Sequence, residues 1–359
     1  MSPGTKNDSP KNEAKMKYRA LGRTGIKVSP YCLGTMMFGA GGNPDHDETT
    51  RIIHKALDAG INFVDTADAY NKGESEEILG RALKGRRDNV VVSTKVFHPM
   101  GKDPNQQGGS RRWITRAVED SLRRLQTDYI DVYLLHRPTP DTDIEETLSV
   151  LSDLMRAGKL RAIGTSTFPA ADIVEAQWTS ERRHLARFRV EQQPYSILNR
   201  GIERDILPAC QHYGMGVTVW SPLAKGLLTG KYRKGQPTPN TLRAKYFPKM
   251  MSDEHSLEVV DQLIPLAREA GLSLTHLALA FVVSHPAITS AVIGPRTMEH
   301  FDDLLAGAGV SLDDALLDRI DAIVPPGSDI APLDGSAYTP PALRNVELRR
   351  RPMAERAAA

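Results

Sequence analysis

The sequence is poor in cysteine, in long apolar runs and in excess charge of one sign. Two cysteines among 359 residues cannot form a disulfide framework, and Cys32 lies in an apolar run typical of a buried strand. Forty-six basic residues oppose 44 acidic ones, so the net charge of +2 gives no broad field for nucleic acid or a membrane. No apolar run approaches a membrane span, and the N-terminus has no signal-peptide core. These absences predict a cytoplasmic protein.

Hydrophobic residues make up 40% of the chain and charged residues 25%, as in ordinary globular proteins. We predict three parts: a disordered polar tail at 1–16, one folded domain at 17–324, and a proline-rich, basic tail at 325–359. The arginines of that last part favour a solvated tail over a nucleic-acid site. Alternation around Gly22 and Gly25 predicts a small hairpin at the start of the domain.

Eight short apolar segments alternate with amphipathic helical segments through the domain. The strand candidates are residues 31–33, 63–65, 90–94, 130–135, 162–165, 189–192, 216–220 and 288–293. Buried strands between one-sided helices indicate parallel strands with helices outside, and eight strands suit a closed (β/α)8 TIM barrel. A Rossmann sheet is disfavoured, because GAGGNP after the first strand lacks the third glycine of GxGxxG.

Local signals mark helices and one long loop. Thr142 and Glu145 predict a capping box, and Gly158 a helix end. Residues 225–256 are basic and rich in glycine and proline, and precede a helix expected near Ser256. A loop of that length is usually functional or disordered. We therefore expect it to shape a pocket or cover a cofactor.

Four polar residues stand at or just after the ends of apolar strands. Asp65 closes GINFVD, Lys95 follows VVVST, His136 follows YIDVYLL, and Tyr70 comes shortly after Asp65. In a parallel α/β barrel, residues past the strand ends meet at one mouth, where the chemistry is done. Each residue alone is more readily explained as a turn, surface or structural residue. All four together favour an active site.

This combination suits the reduction of an aldehyde or ketone, whose oxygen needs a proton as hydride arrives. A phenol with a pKa of about 10 is a poor acid, but a nearby ammonium lowers that pKa. We predict Tyr70 as the proton donor and Lys95 as the group that lowers its pKa. Asp65 would be the ion-pair partner that offsets the unfavourable burial of the lysine charge. His136 would orient or polarise the carbonyl.

Two further residues point to a nucleotide cofactor. Trp220 ends the seventh strand, where an aromatic ring can stack on a nicotinamide; a place in the barrel core is equally open. Arg296 follows the eighth strand, just before a helix start near Thr297. Barrels often bind phosphate there, and Arg296 would add a charged contact, unless it is a surface arginine.

From about residue 17 to residue 324, the chain resembles the aldo-keto reductases, with its motifs in the family's order. The matching segments are GINFVDTADAY with GESEEILGRAL, STK, YLLHRP, GKLRAIGTSTF, EQQPYSILNR, WSPLAKGLLTGKY and VIGPRTMEHFDDLL. GKLRAIGTS and GLLTGKY are most similar to the branch that includes bacterial reductases and potassium-channel β subunits.

The resemblance implies a barrel that binds NADPH in an extended pose, with NADH open as an alternative. It assigns the catalytic tetrad to Asp65, Tyr70, Lys95 and His136. It assigns the cofactor contacts, from the nicotinamide to the adenosine end, to Ser166, Thr167, Gln192, Trp220, Ser221, Leu223, Lys225, Gly294, Arg296, His300 and Asp303.

The predicted function is the NADPH-dependent reduction of a small carbonyl compound, with no nucleic-acid or membrane partner. One alternative is a regulatory protein that keeps the nucleotide as a redox-sensing ligand, as the likeness to channel β subunits suggests. A metal-dependent barrel hydrolase is the other; ten histidines raise it, but no HxH pair occurs. The particular substrate and the oligomeric state stay open.

Overall fold

The structure, a computed structural model, describes residues 16–331 and 345–356. Its first element is the predicted hairpin, in which β1 (Arg19–Ala20) pairs with β2 (Lys27–Val28) in antiparallel fashion. Gly22 turns the chain with φ 56°, and a Cβ there would come within 2.3 Å of the Gly216 backbone nitrogen. Only glycine therefore fits both this conformation and this close approach.

Eight parallel strands form a closed barrel. They are β3 (Tyr31–Gly34), β4 (Phe63–Asp65), β5 (Val91–Val96), β6 (Ile130–Leu135), β7 (Leu160–Ser166), β8 (Val190–Pro194), β9 (Gly216–Trp220) and β10 (Ile288–Ile293). Neighbours in sequence are neighbours in the barrel, and β10 closes it against β3. All eight predicted strands are confirmed, with ends that shift by no more than two residues. The (β/α)8 barrel is thus established.

Helices cover the outside of the barrel, apart from two short ones between β9 and β10 that belong to the 225–256 segment. The helices are α1 (His46–Asp58), α2 (Glu74–Ala82), α3 (Arg111–Leu125), α4 (Ile144–Arg156), α5 (Ala170–Arg183), α6 (Ile206–Tyr213), α7 (Leu242–Tyr246), α8 (Pro248–Met251), α9 (Glu254–Glu269), α10 (Leu274–Ser284), α11 (Met298–Ala306) and α12 (Asp314–Ile323). Helix α3 shows why they form: Ser110 caps it by accepting from the backbone nitrogen of Trp113, and its apolar residues recur at helical spacing. That stripe is buried against the barrel.

The start of α4 differs from the prediction. The capping box at Thr142 is wrong, because the N-cap is Asp143, whose carboxylate accepts from the backbone nitrogen of Glu145 at 3.0 Å. A carboxylate fills this role well, since it accepts the hydrogen bond and also carries charge that suits a helix N-terminus. Gly158 follows the helix end with φ 78°, as its sequence position predicts.

The hairpin fills one end of the barrel. An interior cluster joins its side chains to those of the strands: Leu21, Val28, Cys32, Phe63, Val132, Leu134 and Val190. Cys32 is fully buried, as expected, and burial raises the pKa of its thiol. With its N-terminal end filled, the barrel is open at the C-terminal ends of its strands.

Two predicted irregular segments are more ordered than their composition indicates. The 225–256 segment contains a short 3-10 turn and helices α7 and α8, and α9 begins at Glu254, capped by Asp253. Beyond the barrel, Arg200 Nη1 donates to the carbonyl of Val324 at 2.8 Å, and Gly201 N donates to Asp329 at 2.9 Å. The predicted C-terminal tail therefore starts with an anchored stretch. The predicted N-terminal tail lies, except for Met16, outside the described residues.

Within the described parts of the chain, no single helix is long and apolar enough to cross a membrane. Helices α9 and α10 reach that length and composition only when taken together, and they are bent by 91° relative to each other.

Candidate active site

A cleft of about 1790 Å³ opens at the C-terminal ends of the strands. Its wall includes most of the residues singled out from the sequence: Asp65, Tyr70, His136, Ser166, Gln192, Trp220, Ser221, Leu223, Lys225, Gly294, Arg296, His300 and Asp303. Lys95 and Thr167 lie behind the wall, each hydrogen-bonded to residues that form it. The sequence-predicted residues are therefore gathered around one cavity.

The four predicted catalytic side chains meet at one side of this cleft. Lys95 is fully buried, and its Nζ donates to Asp65 Oδ2 at 2.5 Å, to the Thr66 carbonyl at 2.7 Å and to the Tyr70 hydroxyl at 3.3 Å. These three acceptors use all three donors of the ammonium. The Tyr70 and His136 rings stand edge to face, with centroids 5.7 Å apart. A phenol, an ammonium, a carboxylate and an imidazole thus form one contact group.

The strands and one turn place these side chains. Asp65 is the last residue of β4, Lys95 lies in β5, and His136 directly follows β6. Tyr70 opens a tight turn in which Asn71 has φ 50°, a left-handed conformation that asparagine tolerates. The Asn71 side chain also holds the loop after β3, accepting from Gly41 N at 2.8 Å. The position of the phenol is therefore fixed by contacts from two loops.

The charges of the group follow from burial and pairing. Burial alone would lower the pKa of Lys95, whereas Asp65 and Tyr70 raise it, and the net direction is upward. Burial raises the pKa of Tyr70 by more than Lys95 lowers it, although the residue keeps some exposure to the cleft. Lys95 thus acts on this pKa in the predicted direction, but burial makes the net shift upward. The lysine only limits the rise.

His136 is held neutral. Burial, then Lys95, His98 and Arg137, keep the pKa of its imidazole well below the usual value. The His98 ring stands edge to face against it, with centroids 4.7 Å apart, and burial also lowers the pKa of His98, to about 4. A neutral imidazole can donate a hydrogen bond without adding charge to the site.

The predicted nicotinamide end lies beside this group. Gln192 Nε2 donates to Asp65 Oδ1 at 2.9 Å. Thr167 has φ 61°, a strained value for a β-branched residue, and its hydroxyl lies 3.4 Å from that of Ser166. Trp220 ends β9 on the cleft wall, so the mouth rather than the barrel core is its place. These residues leave one flat aromatic face and several amide or hydroxyl groups around the cavity.

The other end of the cleft is basic. Arg296 lies just after β10, and α11 begins next to it at Met298, capped by Thr297, as predicted. Part of that helix N-terminus is already used, because Met298 N donates to Glu48 Oε1 at 2.9 Å. Lys231 and Arg243 line the same region; burial, then Arg296 and Arg243, lower the pKa of Lys231. Such mutual repulsion between cations is relieved by a bound anion.

Sequence reasoning missed Arg137, Lys231 and Arg243, which all line the cleft. Arg137 was recognisable in principle, because it directly follows His136 at a strand end. Lys231 and Arg243 lie in the 225–256 segment, whose basic character was visible while its path across the mouth was not. That segment lines the cavity, which is one of the two roles expected for it.

The donor set of the cleft suits an anionic organic cofactor. The cations Arg296, Lys231 and Arg243 line one part of the cleft, and the Trp220 ring and several amide or hydroxyl side chains line the part beside the catalytic group. Among the residues that the structure describes, no three or more His, Cys, Asp or Glu side chains are arranged to hold a metal ion. The residues therefore fit a dinucleotide lying along the cleft.

A phenol, an ammonium, a carboxylate and a neutral imidazole at the mouth of a closed barrel suit the reduction of a carbonyl group. Sequence comparison gives the same class of reaction: a profile of the Aldo/keto reductase family matches residues 30–325. The chain belongs to the aldo/keto reductase family. It is an NAD(P)H-dependent oxidoreductase, and membership of the family implies a small-molecule carbonyl substrate.

Individual relatives match nearly their whole length. The uncharacterized oxidoreductase YrpG of Bacillus subtilis is 40% identical, over 88% of this chain and 98% of its own. A probable voltage-gated potassium channel subunit beta of Oryza sativa subsp. japonica is 36% identical, over 86% and 97%. The aldo-keto reductase YhdN of Bacillus subtilis is 35% identical, over 83% and 90%. The family and branch predicted from the motifs are confirmed.

Proposed function

We propose that this protein reduces an aldehyde or ketone to the alcohol with NADPH, and that Tyr70 donates the proton. The observation that carries the proposal is the contact of one buried ammonium, Lys95 Nζ, with both the Asp65 carboxylate and the Tyr70 hydroxyl. A buried lysine needs a carboxylate partner, but that pairing does not explain a phenol in the same contact on a cleft wall. Proton donation to a substrate explains it.

Each member of the tetrad has a defined part in this reaction. When bound, NADPH supplies the hydride that reaches the carbonyl carbon. Tyr70 gives its proton to the carbonyl oxygen as that oxygen gains negative charge, and Lys95 stabilises the phenolate that remains. Asp65 holds the ammonium in place. His136 is neutral, so it donates a hydrogen bond to the carbonyl oxygen and orients it.

The preference for NADPH is supported by the basic end of the cleft. Arg296, Lys231 and Arg243 have no carboxylate within salt-bridge distance among the described residues. NADPH carries one phosphate more than NADH, and three cations at one end of the cavity suit that additional charge. His300 and Asp303, which line the same end, would contact the adenosine, with Gly294 beside them.

The remaining predicted contacts would serve the pyrophosphate and the nicotinamide. Ser221, Leu223 and Lys225 line the wall where the pyrophosphate would lie. Trp220 would stack on the nicotinamide ring, and Ser166 and Gln192 would bond its carboxamide. Thr167 does not line the cleft, so we propose that it acts by supporting its neighbours.

A substrate panel tests the function directly. Simple aliphatic and aromatic aldehydes and ketones are offered with NADPH or NADH, and cofactor oxidation is followed by absorbance. We expect many turnovers with several aldehydes and a higher kcat/KM for NADPH than for NADH. A single slow oxidation of bound cofactor that does not depend on the aldehyde would instead favour the redox-sensing alternative.

A further inference from the structure

We propose that the physiological substrate carries a carboxylate as well as the carbonyl group, and that Arg137 binds it. This inference rests on the proposed reduction and narrows its substrate class. It starts from a cation on the cleft wall beside the catalytic group, which neither the tetrad nor the cofactor phosphates require.

Arg137 forms hydrogen bonds to described residues through only one of its guanidinium nitrogens. Its Nη1 donates to the His136 carbonyl at 2.7 Å and to the Thr167 hydroxyl at 2.9 Å. Neither Nε nor Nη2 donates to a described residue, and the guanidinium carbon lies 5.9 Å from the centre of the Trp220 ring. The guanidinium is therefore oriented by the protein while two of its nitrogens are left for a ligand.

The charge of Arg137 has no partner in the described parts of the chain. No carboxylate lies within salt-bridge distance, and burial lowers its pKa. Glu191 raises the pKa of Arg137 without forming an ion pair with it. The Glu191 carboxylate instead accepts hydrogen bonds from the Thr165 hydroxyl, from Phe168 N and from Gln193. Removing a cation from water without a counter-ion costs desolvation free energy. A carboxylate that accepts two hydrogen bonds from the guanidinium offsets that free energy.

The two carboxylates on the cleft wall cannot serve as that counter-ion. Asp65 is paired with Lys95 at 2.5 Å, and Asp303 lies at the adenosine end, 3.2 Å from His276. The cofactor phosphates are served by other cations, Arg296 among them. Every contact of Arg137 is with residues at the catalytic end of the cleft.

The surroundings of Arg137 indicate the rest of the ligand. The cleft wall close to Arg137 includes two apolar side chains: Phe97 packs on His98, which packs on His136, and Pro138 directly follows Arg137 in the chain. An apolar carbon skeleton fits there, with its carbonyl toward Tyr70 and His136 and its carboxylate toward Arg137. The substrate class is therefore an oxo or formyl carboxylic acid with a hydrophobic body.

The test compares aldehydes that carry a carboxylate with their uncharged methyl esters. Para- and meta-carboxybenzaldehyde are each paired with their methyl esters, and kcat/KM is measured with saturating NADPH. We expect at least one acid to exceed its ester by about tenfold or more, the size of one charge-assisted contact. In Arg137→Met, the acid should lose about tenfold to a hundredfold more than the ester. Arg137→Lys, which keeps the charge, should retain part of the preference.

A second arginine controls for net charge. Arg112 is exposed near the start of α3 and is not part of the cleft wall, so Arg112→Met should leave the ratio of acid to ester unaltered. Equal kcat/KM for acid and ester in the native protein would overturn the inference. So would an equal loss of both substrates in Arg137→Met, which is the result expected if Arg137 only supports Thr167.

A binding measurement separates this inference from the proposed reduction. If none of the aldehydes is reduced, the proposed function fails, and calorimetry then decides the role of Arg137. Para- and meta-carboxybenzyl alcohol and their methyl esters are titrated into the NADP⁺ complex of each variant. Tighter binding of an acid that is lost in Arg137→Met supports the inference. Equal affinities for acid and ester overturn it.

Discussion

The side-chain amide of Gln192 donates a hydrogen bond to Oδ1 of Asp65 at 2.9 Å. The strands that carry the two residues, β4 and β8, lie on opposite sides of the closed barrel. Asp65 therefore uses one oxygen for Gln192 and the other for Lys95. A residue predicted to hold the nicotinamide carboxamide thus also orients the carboxylate that fixes the lysine. The proposed cofactor contact and the position of the lysine therefore depend on one side chain.

Removing the Tyr70 hydroxyl tests the proton donor. Tyr70→Phe should lower kcat for aldehyde reduction by about a hundredfold to ten-thousandfold, the usual contribution of a positioned general acid. Cofactor binding should be largely unchanged, because the ring is kept. Steady-state kinetics and fluorescence titration with NADPH give the two quantities. Full activity in this variant would remove the phenol from the role proposed for it.

Arg296 tests the choice between the two cofactors. Arg296→Ala should weaken NADPH binding by about tenfold, since a charge-assisted contact to a phosphate is lost. NADH lacks that phosphate, so its affinity in the same variant is the internal control and should change little. Dissociation constants for both cofactors are measured by calorimetry. Equal losses for NADPH and NADH would assign Arg296 another function.

The neutral state of His136 predicts the acid side of the pH profile. Burial and the neighbouring cations hold its pKa well below the usual value, so protonation takes place only at pH values well below that value. The kcat/KM for reduction should therefore stay level as pH falls through about 6.5, the ordinary pKa of histidine. Samples returned to neutral pH verify that no activity is lost by unfolding. A decline centred near 6.5 would show that His136 titrates normally.

Asp68 gives a prediction for stability. Burial first, and then Glu76, raise the pKa of its carboxyl to about 8, and no described side chain donates a hydrogen bond to it. The folded-state pKa is above the unfolded one, so the bound proton stabilises the fold fully below about pH 4. That stability is lost as pH rises through about 8, by up to about 1.4 kcal/mol per pH unit.

The variant Asp68→Asn cannot titrate, so the native protein alone should lose stability across this window. The difference in free energy of unfolding, Asn variant minus native, should grow from about pH 4 to about pH 8 and then level off. Urea unfolding at several pH values measures it. A difference that is the same at all pH values would mean that Asp68 has an ordinary pKa in the folded protein.

The sequence by itself determined the barrel and the group of side chains that meet at one side of its mouth. Strand periodicity, helix faces and the Gly22 turn are local properties, and each is readable from a short window. Asp65, Lys95 and His136 were identifiable because parallel strands of a barrel all end at the same mouth. That rule predicts that three residues far apart in sequence lie close together in space, and it needs no coordinates.

The tertiary structure decided what depends on distances between strands and loops. It showed that burial outweighs Lys95 in setting the pKa of Tyr70, that Gln192 contacts Asp65, and that Arg137 lacks a carboxylate partner among the described residues. It also carried the 225–256 segment, with Lys231 and Arg243, over the cleft. Desolvation and charge pairing depend on what surrounds a group in space, and no local sequence window contains that information.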